Sequence, residues 1–193
     1  MRPELSQCVN LIIYLKNISP FRHGADTRLL GLIFMNVFTI YKSAQLGNIT
    51  IQACDDGLTG VWLEQQTTQP DDLGVYSDDH PVLKQTIEQL KEYLANQRRH
   101  FSVTLAATGT DFQKKVWQAL TEIPFGQVCS YQELANAIDN PKAVRAVGMA
   151  NGKNPISIIV PCHRVIGKNG TLTGYAGGVE RKQWLLEHEG GGG

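Results

Sequence analysis

Asn154-Pro155-Ile156-Ser157-Ile158-Ile159-Val160-Pro161-Cys162-His163-Arg164-Val165-Ile166 decides how this 193-residue chain is read. Ile156 to Val160 is an apolar run rich in β-branched residues, which predicts a buried strand. Pro161 cannot continue a ladder, so the strand ends there and Cys162 falls where strand meets turn. Neighbouring side chains on a strand point to opposite faces, so His163 reaches the Cys162 sulfur only if the backbone bends, and Pro161 supplies a bend. A thiol reacts as its thiolate, and an adjacent imidazole lowers its pKa or takes its proton. Such a histidine is usually oriented by a third group, commonly a carboxylate. The pair alone is equally compatible with an inert cysteine packed at a strand end.

Outward from this stretch, two units can be distinguished. Asn36 to Leu63 reads as strands, with Asp56-Gly57 as a turn before Val61-Trp62-Leu63. Thr67 to Asp79, with Pro70 and Gly74, reads as a loop. From Pro81 to Arg98 the spacing becomes helical. Leu83, Ile87, Leu90 and Leu94 share a face, with Asp78 or Asp79 as the cap. His100 to Ala106 reads as one more strand. This first unit carries no visible chemistry.

The second unit starts near Gly109. Thr110 is a candidate N-cap for a helix carrying Phe112, Val116, Trp117 and Leu120. Ile123-Pro124-Phe125-Gly126 breaks it. Ser130 caps a short helix through Ile138, Asn140-Pro141 turns the chain, and Lys142 to Ala150 forms a second helix, a helix-turn-helix pattern. Any small helical domain contains such pairs. In the second helix Ala143, Val144, Ala146, Val147, Gly148, Met149 and Ala150 surround the single charge of Arg145. That composition suits either minor-groove docking with one inserted side chain or a buried helix with one surface arginine.

Composition sets the boundaries. The chain is 42% hydrophobic and 19% charged with zero formal net charge, so it is globular and not a basic protein. Residues 130–182 hold seven Lys/Arg against three Asp/Glu, which leaves room for a local phosphate-binding face or simply an uneven solvated surface. Cys8, Cys54, Cys129 and Cys162 form no C-x-x-C pair, which argues against a disulfide framework or a cysteine-rich zinc site and for a reducing compartment. The apolar runs Val9–Leu15 and Leu29–Phe34 fall short of the ~20 residues that cross a bilayer, and no cleavable secretory signal is evident. Residues 1–35 are left unassigned, with Met35 expected as the natural start. Residues 191–193 end a glycine run, expected to be a flexible tail.

The whole pattern resembles the O6-alkylguanine-DNA alkyltransferases. Asn154 to Ile166 is similar to their active-site signature. Phe112-Gln113-Lys114-Lys115-Val116-Trp117-Gln118-Ala119-Leu120 resembles the family's first helix in this domain, and Ile123 to Tyr131 the lead into its helix-turn-helix. Asn140-Pro141-Lys142-Ala143-Val144-Arg145-Ala146-Val147-Gly148 resembles its recognition helix. Gly174-Tyr175-Ala176-Gly177-Gly178 and Lys182 to Glu189 complete the match, which is dense over residues 109–190 and looser over 36–106.

The resemblance implies an α+β chain with a small N-terminal α/β, ribonuclease H-like domain at 36–106. A mainly helical C-terminal domain at 107–190 then holds the helix-turn-helix and the thiol. It implies irreversible, stoichiometric transfer of the alkyl group from O6-methylguanine, and from O4-methylthymine, in double-stranded DNA to Cys162 after base flipping. His163 would be the base, acting through a water, Glu189 its polarising carboxylate, and Asn154 the residue fixing the turn around the thiol. Tyr131 would help rotate the nucleotide and hydrogen-bond a ring nitrogen of the departing guanine. Arg145 would fill the space it vacates. The Val165 carbonyl would read the guanine amino group, Tyr175 and Ala176 would close the pocket, and Lys182 would sit on its rim. In some family members a serine stands at the position of Ala176, whose backbone N–H still serves. Arg164 would be structural, paired with a carboxylate the sequence does not identify. Ser130, Lys142, Ala143, Lys114 and Lys115 are candidate DNA contacts.

The resemblance implies no cofactor and no metal, and a cytoplasmic monomer, nucleoid-associated in a bacterium, with no membrane association. Three other readings compete. A lesion binder without transfer chemistry lacks the acceptor cysteine, a plain helix-turn-helix regulator makes no covalent product, and a cysteine hydrolase turns over repeatedly.

Overall fold

The computed structural model describes residues 35–172 and 174–190. The expectations for residues 1–34 and for the tail at 191–193 lie outside the described residues. Strands β1 (Val37–Ser43), β2 (Gly47–Cys54) and β3 (Gly57–Leu63) form an antiparallel meander, and β4 (Val75–Tyr76) pairs parallel to β1, giving the order β3-β2-β1-β4. Gly57 turns the β2–β3 hairpin at φ +145°, where a side chain would also strike the Thr104 carbonyl. Ile49, Ile51, Ala53, Val61 and Leu63 are fully buried beneath helix α1 (Pro81–Leu94), whose Leu83, Leu90 and Tyr93 meet the sheet side.

Two local expectations change here. Neither aspartate caps α1. His80 is the N-cap without a side-chain bond, while Asp78 accepts from the Thr39 hydroxyl and Asp79 from Lys84. The proline at the helix start needs no N–H partner, so the cap is dispensable. The helix also stops at Leu94, four residues before Arg98. Asn96 takes a left-handed φ of +59°, and Arg98 folds back onto Glu92.

The free edge of β3 is where the two parts of the chain join. Leu58 exchanges backbone bonds with Thr104 and Ala106, and Val61 with Pro155 and Ser157. Two segments therefore share one edge, and the edge is protected from pairing with other chains. Each makes only a single bridge, Leu58–Leu105 and Val61–Ile156. That overturns two expected strands. His100 to Ala106 is irregular and touches the sheet only at its end, with Ser102 tied to Gln89 of α1. Ile156 to Val160 is buried as expected, yet it is a chain of tight turns in which Ile158 has φ +70°.

The remainder is helical. It comprises α2 (Asp111–Thr121), α3 (Tyr131–Ala137), α4 (Val144–Gly152), a 3-10 turn (Cys162–Arg164) and α5 (Val179–His188), with a short parallel ladder of β5 (Cys129–Ser130) and β6 (Val165–Ile166). Thr110 and Ser130 each make a full capping box, with Gln113 and Glu133 respectively. α4 starts at Val144, two residues later than expected, because Ala143 still closes the turn over Pro141 by donating to the Asn140 carbonyl. The α3–α4 pair is the helix-turn-helix. Val116, Leu120, Leu134, Val147 and Ala150 bury its inner side, and the Trp117 indole donates to the Ala150 carbonyl at 2.9 Å.

Candidate active site

Asn154 is the keystone of the turns before the thiol. Its side-chain oxygen accepts from Ile156 N at 3.0 Å. Its amide nitrogen lies 3.2 Å from the Ile156 carbonyl, 2.8 Å from the Val160 carbonyl and 3.0 Å from Cys162 Sγ. One buried amide thus satisfies Ile156 N and adds to the backbone bonds that the Ile156 and Val160 carbonyls receive from Val160 N and Cys162 N, and together these pair within the turns what a strand would have paired in a ladder. Cys162 then opens the 3-10 turn, so Cys162 and His163 are not on opposite faces of a strand; the turn curls the backbone under both.

Cys162 is 4% exposed. Burial pushes its thiol up to about 11, while the hydrogen bond from Asn154 and the nearby charge of Lys182 pull the other way. Ionisation therefore calls for a base at hand. His163 is fully buried, and its Nε2 lies 2.9 Å from Glu189 Oε1. A carboxylate only accepts, so Nε2 carries the hydrogen and Nδ1 is left as the acceptor. No described residue hydrogen-bonds that Nδ1. Burial lowers the pKa of His163, with the Arg164 and Lys182 charges adding to that and Glu189 opposing it, so the ring rests neutral.

Glu189, the C-cap of α5, is held from four sides. Oε1 accepts from His163, from Arg164 Nη2 at 2.9 Å and from the Tyr93 hydroxyl at 2.7 Å, while Oε2 accepts from Arg164 Nε at 2.8 Å and from Gly126 N at 3.3 Å. Burial alone would raise its pKa, but the hydrogen bonds and charges of His163 and Arg164 outweigh that and keep it ionised far below the usual carboxylate range. Gly126, at φ +74°, makes this close approach possible, since a Cβ there would sit 2.8 Å from the Glu189 carbonyl oxygen. The carboxylate that the sequence could not assign to Arg164 is Glu189, the same group expected to polarise His163.

The other candidates fall into two groups. Val165 is buried in β6, and Tyr175 is buried close enough to Cys162 that the two charges would repel. Ala176 is half-buried beside Tyr175. Lys182 was expected on the rim but is fully buried, with Nζ donating to the Val165 carbonyl at 2.6 Å. Its charge lies close enough to Cys162 to favour the thiolate over the thiol. The helix-turn-helix carries the second group. Tyr131 is half-buried at the start of α3, with its ring beside Gly148 of α4. Lys142, Arg145, Ala146 and Met149 are exposed, which excludes the buried-helix alternative for α4, and Ala143 is its N-cap, with no side-chain capping bond. Lys114 and Lys115 are exposed on α2. Ser130 is engaged in its capping box with Glu133. Two clefts of about 400 and 590 Å³ flank the 99–108 segment, and Cys162 lines neither.

Sequence reasoning missed Tyr93 and Gly126. A signal for the first was present. Tyr93 falls on the apolar face of α1, three residues after Leu90, and a buried tyrosine hydroxyl has to find a partner.

Comparison with known proteins agrees with this architecture. Residues 36–107 match the family model of the 6-O-methylguanine DNA methyltransferase ribonuclease-like domain, and residues 111–191 match that of its DNA binding domain. The methylated-DNA–protein-cysteine methyltransferase of Methanosarcina acetivorans is 44% identical over 79% of this chain and 97% of its own length. The constitutive enzyme of that name from Bacillus subtilis is 46% identical over 80% and 96%. The crystal structure of Mycobacterium tuberculosis OGT in complex with DNA superposes with a TM-score of 0.73 at 44% identity, covering 79% of this chain and 92% of that one. On the strength of both domains and of relatives matched over nearly their whole length, the chain belongs to the methylated-DNA–protein-cysteine methyltransferases.

Proposed function

We propose that Cys162 accepts the alkyl group in direct-reversal repair of DNA, with His163, Glu189, Asn154 and Tyr131 as its catalytic partners. The observation that carries this reading is the joint placement of the thiol against the Asn154 amide and of His163 against Glu189. The Cys162 proton passes through a water to His163 Nδ1, whose Nε2–H is anchored on Glu189. The resulting imidazolium is stabilised by that carboxylate. The thiolate, supported by Asn154 and Lys182, attacks the alkyl carbon of O6-methylguanine in a single displacement. The carbon–oxygen bond breaks, its electron pair leaves with the guanine, and a Cys162 thioether forms. Tyr131, at a ring nitrogen, and the Ala176 N–H, at O6, stabilise the developing charge on the base. A thioether has no leaving group of useful acidity, so each molecule reacts once.

A guanine stacked in duplex DNA hides its O6 substituent, so the nucleotide has to be flipped out, at a few kcal/mol, less when it is mispaired. Arg145 projects from the exposed face of α4 and fills the gap, the Val165 carbonyl reads the guanine amino group, and Tyr175 closes over the base. Lys114, Lys115, Lys142 and the N-terminus of α4 at Ala143 meet backbone phosphates, with Ser130 nearby. O4-methylthymine offers the same displacement. Residues 36–106 and 107–190 act as the two domains, and the protein works as a cytoplasmic monomer. Among the described residues, no helix is long and apolar enough to cross a membrane.

Mass spectrometry after incubation with duplex DNA containing O6-methylguanine tests the reading. The expected result is a gain of one CH₂ on Cys162, absent from Cys162→Ala, which still binds the duplex. DNA binding with an unmodified Cys162 would show a regulator or lesion binder instead.

A further inference from the structure

Only one residue of the 36–107 region is seen hydrogen-bonding the Glu189 carboxylate, and it does so from the far end of α1. Tyr93 is fully buried, 96 positions from its partner, and its hydroxyl donates to the Glu189 oxygen that also accepts from His163. Its ring is fixed by Phe101, Phe125 and His188, and His188 Nε2 in turn lies 2.9 Å from the Tyr93 carbonyl. We propose that Tyr93 is a positioning residue through which the N-terminal domain sets the basicity of His163. The inference rests on the reading that His163 takes the thiol proton.

The physical argument concerns how one oxygen divides its charge. Glu189 Oε1 serves three donors, Tyr93, His163 and Arg164. Each donor withdraws electron density, so each leaves less for the others. Without the Tyr93 hydroxyl, Oε1 would hold the Nε2–H of His163 more strongly, the imidazolium would be favoured, and the ring would protonate at higher pH. The groups facing His163 are Cys162 and Arg164 from its own turn, Lys182 and Glu189 from α5, and Tyr93 from α1 by way of Glu189. Tyr93 does not act by ionising, because burial and the Glu189 charge hold its hydroxyl protonated at any working pH. It is a fixed donor, and a fixed donor tunes its acceptor continuously. The phenol also holds the carboxylate in line with the imidazole, so that placement of the N-terminal domain is felt at the base.

The test is the pH profile of single-turnover methyl transfer by the full chain from duplex DNA containing O6-methylguanine, from about pH 5 to about pH 9. Wild type is compared with Tyr93→Phe and with a protein carrying a fluorinated, more acidic tyrosine at position 93 only. The acid limb, where His163 protonates and transfer stops, is expected to rise by ~0.5–1 pH unit in Tyr93→Phe and to fall in the fluorinated protein. A tyrosine that merely packs would give no such ordering with donor strength. Superimposable acid limbs in all three proteins would overturn the proposal. If Tyr93→Phe does not fold, the near-isosteric fluorinated protein decides alone, a lowered limb supporting the proposal and an unmoved one overturning it. Wild type that never methylates Cys162 would instead overturn the reading of the site itself.

Discussion

The side-chain amide nitrogen of Asn154 lies 3.0 Å from Cys162 Sγ and shares its two hydrogens between the sulfur and the Ile156 and Val160 carbonyls, while its oxygen accepts from Ile156 N. Shape and reactivity are thereby coupled. The group that ties the apolar run into turns is also the group that contacts the thiol.

Asn154→Ala should therefore fail in two measurable ways. Ile156 N loses its partner, while the Ile156 and Val160 carbonyls keep their bonds from Val160 N and Cys162 N, and an unsatisfied buried group costs about 1–3 kcal/mol, so urea denaturation should show a loss of roughly 1–3 kcal/mol. The single-turnover transfer rate should fall by more than the folded fraction does, since the thiolate loses a donor. A variant that is destabilised yet transfers at the wild-type rate per folded molecule would separate the two roles and remove Asn154 from catalysis.

Arg164→Met should be among the most destabilising single changes in the protein. It leaves the Glu189 carboxylate buried with hydrogen bonds but no cation, and breaking a buried pair in this one-sided way costs about 3–5 kcal/mol. Removing both charges with Arg164→Met and Glu189→Leu together should recover part of the stability and none of the transfer. Equilibrium unfolding of the two variants checks the first point, and the DNA reaction checks the second.

Stability should fall on acidification in two stages. His163 in the folded protein titrates below its ordinary value of 6.5, so below that pH the unfolded chain binds the extra proton and unfolding is favoured. Glu189 is depressed below 4.5, so its contribution is complete above that value and is lost as pH falls toward the folded pKa. His163→Gln should abolish the loss that sets in below 6.5 while keeping the one below 4.5. Chemical denaturation at a series of pH values reads both stages, and an unchanged upper stage in His163→Gln would assign it to another group.

Arg145→Ala should slow repair of duplex DNA by about tenfold or more while sparing reaction with the free modified base, because only the duplex demands that a gap be filled. Rates on the two substrates decide it. Equal losses on both would place Arg145 outside base flipping.

The sequence by itself determined α2 and the helix-turn-helix, since the Thr110 cap of the first and the Ser130 cap and Asn140-Pro141 turn of the second act within a few residues of themselves, and capping is local chemistry. Through resemblance to a known signature it also pointed to Cys162 as the proposed acceptor with His163 and Glu189 as its partners, and the structure brings those last two within hydrogen-bond distance. It misread Ile156 to Val160 as a strand, because apolar β-branched residues report burial and not extension. The run instead turns back on itself, tied by the Asn154 side chain outside it, and shares the β3 edge with the 104–106 segment, so that it makes a single bridge there. The partner of Arg164, the burial of Lys182 and the reach of Tyr93 to Glu189 were decided by tertiary structure alone. Each is a contact between residues 17 to 96 positions apart, and such a pairing exists only once the core has brought its two ends out of water together.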